Sequence, residues 1–100
     1  MDASLKKEDI LSILRRHTPE VHEKYRVIRM GLFGSYAMGS ATEESDIDIL
    51  VEFEPGADIW DLAGLKIYLE NLFKKQVDVA TVNSLRPEMK GSILANIAYS

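Results

Sequence analysis

At 100 residues, with 46% hydrophobic side chains and a formal net charge of −4, the chain holds apolar material for one core and little for a second. A single domain over residues 1–100 is therefore expected. The absence of cysteine excludes disulfides, a thiolate nucleophile and cysteine-held zinc, and fits a reducing interior. The acidic balance argues against a broad grip on nucleic acid, which needs many Lys and Arg. No apolar run approaches membrane-spanning length and the first residues are polar and charged, so a soluble cytoplasmic protein without membrane attachment is expected.

In chain order, Leu5, Ile10, Ile13 and Leu14 fall near helical spacing, which predicts an amphipathic helix from Ser4 to His17 with Ser4 as its N-cap. Thr18-Pro19 is expected to stop it and restart at most a short turn. Val27 to Phe33, rich in Val, Ile, Leu and Phe and closed by Gly34, reads as a buried strand. Residues 34–40 suit a strand-to-helix turn and a short helix, and Thr42 to Ser45 a polar loop. From Asp46 to Phe53 the alternation puts Ile47, Ile49, Val51 and Phe53 on one face and Asp46, Asp48, Leu50 and Glu52 on the other. The first set belongs against the core.

Glu54-Pro55-Gly56 is a turn signal, and Asp58 is placed to cap a helix whose apolar face is Ile59, Leu62, Leu65, Leu69, Leu72 and Phe73. Lys74-Lys75 suits its C-terminus. Residues 77–82 alternate as a strand, with Asp78 a lone carboxylate in an apolar run. Pro87 opens a last helix with Met89, Ile93, Leu94 and Ile97 on one side. The order implies an α/β (α+β) unit, a small mixed sheet with helices packed on it.

Side chains at i and i+2 of a strand share a face about 6.6 Å apart, so Asp46 and Asp48 can reach one cation or two neighbouring ones. Two carboxylates side by side need a counter-ion, and a hard cation such as Mg²⁺ suits them. A solvated strand edge is the alternative, since Asp-x-Asp alone is common. Asp is disfavoured in strands, so the face carrying Asp78 must meet something polar. If its strand neighbours 46–53, three carboxylates converge, enough to hold two metals and to deprotonate a hydroxyl. Gly34-Ser35 offers close backbone approach and a hydroxyl suited to phosphate, or is an ordinary tight turn. His17 and His22 read as surface residues, the Lys and Arg pairs as solvated helix faces. The scattered aromatics make no nucleic-acid stacking platform.

Together these residues resemble the nucleotidyltransferase superfamily of the DNA polymerase beta type, whose motif is Gly-Ser, a spacer, Asp-x-Asp on a strand and a later Asp. Here those are Gly34-Ser35, Asp46-x-Asp48 and Asp78. The stretch Leu32 to Val51 looks like the minimal nucleotidyltransferases, MntA-like antitoxins found beside HEPN-domain partners, and the likeness runs from about Ile10 to Ile97. The resemblance implies that Asp46, Asp48 and Asp78 hold two Mg²⁺ ions and serve catalysis, and that Gly34, Ser35 and Ser45 contact the nucleotide. It also implies in-line attack on the α-phosphate of ATP with pyrophosphate leaving, and transfer of AMP to a hydroxyl, a tyrosine of a HEPN toxin. Many relatives carry Arg where this chain has Met38, which removes a cationic contact to phosphate. The alternative is a binding module that neutralises its partner by complex formation. Apolar residues on the last helix could serve a homodimer or a heterologous partner.

Overall fold

A computed structural model describes residues 5–100, so the expected cap at Ser4 lies outside the described residues. Helix α1 spans Lys7–Tyr25 and buries Ile10, Leu14 and Val21. Its start is held by the Lys6 amide, which donates to the Asp9 carboxylate at 3.0 Å. It ends where Arg26 takes a left-handed conformation (φ 62°) and its amide bonds the His22 carbonyl at 3.1 Å.

The expected stop at Thr18-Pro19 is not there: α1 runs straight through Pro19. Proline removes the amide that would bond the Arg15 carbonyl, but Arg15 and Pro19 are both exposed, so water can serve that oxygen. Thr18 turns its hydroxyl back onto the Leu14 carbonyl at 2.8 Å. Burial of Val21 beyond the proline holds the far half against the sheet.

The four strands are β1 (Val27–Phe33), β2 (Ile47–Phe53), β3 (Val77–Ala80) and β4 (Ala98–Tyr99), in the spatial order β3-β2-β1-β4. β1 runs antiparallel to β2 and β4, whereas β2 and β3 are parallel and joined by the crossover helix α3 (Ile59–Phe73). A parallel pair needs such a crossover, which makes α3 a cover for the sheet. Asp58 caps α3 as expected, its carboxylate accepting from the Trp60 and Asp61 amides at 3.0 and 3.1 Å. The core lies on one face of the sheet, where Met30, Leu32, Ile47, Ile49, Val51 and Val77 meet α1 and α3.

Leu65, Leu69 and Phe73 of α3 join that core, but Ile59, expected on the same face, is 72% exposed. The strand expected over 77–82 ends at Ala80, because Thr81 and Ser84 bond each other across a 3₁₀ turn at Val82–Ser84. Helix α4 (Pro87–Asn96) has no fully buried side chain, and β4 lies outside the elements expected from the sequence. Two residues carry no periodicity by which to read a strand.

On the face away from the core, Gly31 is crossed by the C-terminal segment. A Cβ on Gly31 would lie 2.5 Å from the Ile97 side chain. Beside it Arg29 pairs with Glu52 at 2.8 Å and covers the Tyr99 ring at 4.0 Å. A groove of about 470 Å³ opens there, between Leu50, Thr81 and Tyr99.

Candidate active site

The parallel register of β2 and β3 sets Asp48 directly opposite Asp78. On its other side Asp48 is opposite Phe33, the last residue of β1, and the next residue is Gly34. Gly34 has a φ of 73°, and a Cβ there would run into the Asp48 carboxylate. Glycine is thus required twice, by the left-handed backbone and by the close approach of the main chain to Asp48. It opens the short helix α2 (Gly34–Met38), which Tyr36 anchors in the core and Gly39 (φ 77°) ends. Ser35 is half-buried on α2, whereas Met38 is 69% exposed.

The loop into β2 is held by its own side chains and by the turn after α3. Ser45 accepts the Thr42 amide on its hydroxyl at 2.8 Å and returns its own amide to the Thr42 carbonyl at 3.1 Å. Lys75 donates to the Glu43 carbonyl at 2.7 Å and lies 5.9 Å from the Tyr36 ring centroid. The Ile47 amide bonds the Gln76 carbonyl at 3.1 Å. Lys75 therefore ties the loop before Asp46 to the turn before Asp78. The local pattern around Lys75 is that of a solvated helix end, and nothing in it distinguishes this lysine.

Asp48 is the electrostatic centre of this arrangement. Burial, the facing Asp78 charge and hydrogen bond, and Asp46 raise its carboxyl from the ordinary 3.8 to about 6. Among the described residues none of Asp46, Asp48 and Asp78 has a Lys, Arg or His ion-pair partner. A set of facing carboxylates without a protein cation has the donor chemistry of a hard divalent ion, all oxygen and net negative. The three do not close on one point as they stand, for no group of three or more His, Cys, Asp or Glu among the described residues is gathered to hold a metal. Asp46 lies exposed just ahead of β2, while Asp48 and Asp78 face each other within the sheet.

The model of the nucleotidyltransferase domain family matches residues 14–100, most of the chain. The chain belongs to the nucleotidyltransferase domain family. It is 39% identical over 97 residues to the protein adenylyltransferase MntA of Thermococcus cleftensis, covering 97% of this chain and 98% of that protein. Its fold is similar to that of a protein described provisionally as a minimal nucleotidyltransferase, with a TM-score of 0.77 and 32% identity, over 96% of this chain and 97% of the other. It is also similar, at a TM-score of 0.56 and 22% identity, to a chain in the complex of a tri-AMPylated Shewanella oneidensis HEPN toxin with its MNT antitoxin, over 93% of this chain and 66% of the other. That last likeness is one of fold.

Within this nucleotidyltransferase, the structure brings Gly34, Asp48 and Asp78 together and leaves Asp46 exposed just ahead of β2. Ser35 follows Gly34 directly. Ser45 is set apart from them by its task, since its hydroxyl holds the Thr42 turn. Of the two histidines read as surface residues, His22 is exposed, but His17 is half-buried and its Nδ1 lies 2.6 Å from the Tyr68 hydroxyl.

Proposed function

We propose that this nucleotidyltransferase transfers AMP from ATP to a hydroxyl on a partner protein, a tyrosine of a HEPN-domain toxin, and so acts in the cytoplasm as the antitoxin of that partner. The observation that carries the reading is the registered pair Asp48–Asp78 beside the Gly34 backbone. It provides a concentrated negative site whose carboxylates have no Lys, Arg or His ion-pair partner among the described residues, beside a glycine turn open to phosphate approaching the main chain. The name of the Thermococcus relative and the AMPylated toxin of the Shewanella complex support protein as the acceptor.

Asp46, Asp48 and Asp78 would hold two Mg²⁺ ions. The ions would neutralise the carboxylates and the charge that develops on the α-phosphate as pyrophosphate leaves. The chain's own residues position and exchange protons around that centre. The Gly34 amide and the Ser35 hydroxyl face the phosphates, and Ser45 shapes the loop that enters β2. Asp78 is exposed on the edge strand and open to an incoming hydroxyl, so it serves as the group that receives the acceptor proton. One compact domain over residues 1–100 carries this chemistry, with the acceptor surface supplied by the partner.

The test is transfer of labelled AMP from α-labelled ATP in Mg²⁺ to a HEPN-domain protein supplied as acceptor. Label on the partner with the native chain, and none with the Asp46→Asn, Asp48→Asn double variant, is the expected result. Label that persists in the double variant would rule out this site. A double variant that still protects cells from the partner would show that neutralisation proceeds by complex formation instead.

A further inference from the structure

The outer face of α3 is apolar where a solvated helix should be polar. Ile59, Trp60 and Ile67 are 72%, 79% and 60% exposed, and Ala63 is exposed between them. Ile59, Ala63 and Ile67 stand at i, i+4 and i+8, so they form one ridge about 12 Å long with Trp60 at its head. The opposite face of α3, with Leu65, Leu69 and Phe73, already supplies the core. The ridge is thus surplus to folding.

Its position connects it to the carboxylates. A groove of about 240 Å³ is lined by Ile59, Leu62, Ala63 and Lys66 of α3 together with Asp78 and Val79 of β3. β3 is the edge of the sheet, so a protein that brings a hydroxyl to Asp78 across that edge lies over the same ridge. Charge beside the groove is acidic: Asp78 lines it and stands opposite Asp48, while the one lining cation, Lys66, is turned to the Val77 carbonyl at 3.2 Å and to Glu70 at 3.9 Å.

We infer that the ridge Ile59–Trp60–Ala63–Ile67 is the docking surface for the protein acceptor, which meets it with an apolar pocket for Trp60 rimmed by Lys or Arg. Exposed tryptophan within an apolar patch is the side chain most often found to dominate binding energy at interfaces. Basic residues around the pocket complement Asp48 and Asp78 and steer the acceptor hydroxyl to the carboxylates. This docking rests on the proposal that the acceptor is a protein.

Trp60 is the sole tryptophan of the chain, which makes it a reporter. With 5-fluorotryptophan in this chain and an unlabelled HEPN-domain partner, the ¹⁹F resonance of Trp60 is expected to shift when the complex forms. Trp60→Ala is expected to raise KM for the protein acceptor about ten-fold or more while leaving Mg²⁺-dependent ATP binding within about two-fold, and Trp60→Phe to restore most of the loss. Ile67→Lys, at the far end of the ridge, is expected to act in the same direction, with circular dichroism reporting that both variants fold. An unchanged resonance in the complex, or an unchanged KM in both ridge variants, overturns the inference. So does a resonance that moves with the concentration of this chain alone as it sediments as a dimer, because the ridge then belongs to a second copy. A shifted resonance without label transfer leaves the docking surface standing and removes the AMP-transfer reading.

Discussion

Asp48 is held in a position that a carboxylate adopts at a cost, facing Asp78 and partly out of water. Its folded carboxyl, raised to about 6 from 3.8, binds its proton more tightly than in the unfolded chain. The stability it contributes is therefore complete below about pH 4 and is lost as pH rises through about 6. In a chelator, the melting temperature of the native chain is expected to fall across that window relative to Asp48→Asn, which removes the titrating group. Mg²⁺ should reverse the fall at pH 7.5 and do little at pH 4.5, as followed by calorimetry. At Gly34 the constraint is steric. Gly34→Ala combines a left-handed φ of 73° with a methyl group driven into Asp48, and is expected to cost roughly 1–3 kcal/mol in urea denaturation and to abolish label transfer.

Among the elements, α1 shows how tertiary burial overrides a local signal. Pro19 sits inside a 19-residue helix whose Leu14 and Val21 are buried on either side of it. A helix-interior proline is about 3 kcal/mol less favourable than alanine, and part of that is offset by the stiffer unfolded chain. Pro19→Ala is expected to stabilise the protein by about 1–2 kcal/mol, measured as an increased urea midpoint at unchanged slope, without effect on transfer. The β2–β3 pair matters differently, through register. A slip of one residue would turn Asp48 into the core and Ile49 out of it, so the apolar alternation of β2 also aims the carboxylate. Lys75 reinforces this from outside the strands by bonding the Glu43 carbonyl.

In the whole molecule the division of labour is between two faces of one sheet. Core side chains from α1, α3 and the strands lie on one, and the carboxylates and the Leu50 groove on the other. Leu65→Ala, at a fully buried position, is expected to cost about 2–5 kcal/mol. Leu94→Ala, on the partly exposed α4, should cost less than about 1 kcal/mol. Comparable losses at the two positions in chemical denaturation would mean that α4 shares the core. Stability and chemistry are thus separable, and substitutions at Asp46 or Asp78 should leave the fold intact.

The sequence by itself determined the type of the longer helices and strands and which residues of β2 face inward, because periodicities of 2 and 3.6 are local properties of the chain. It also carried the motif, from Gly34-Ser35 through Asp46-x-Asp48 to Asp78, and with it the family. Tertiary structure alone decided that Asp78 stands opposite Asp48. That pairing depends on a parallel crossover through α3, and strand partners far apart in sequence leave no local trace. The same holds for the passage of α1 through Pro19, the Lys75 tie to Glu43 and the outward turn of Ile59. In each, contacts between distant segments outweigh or redirect the local preference.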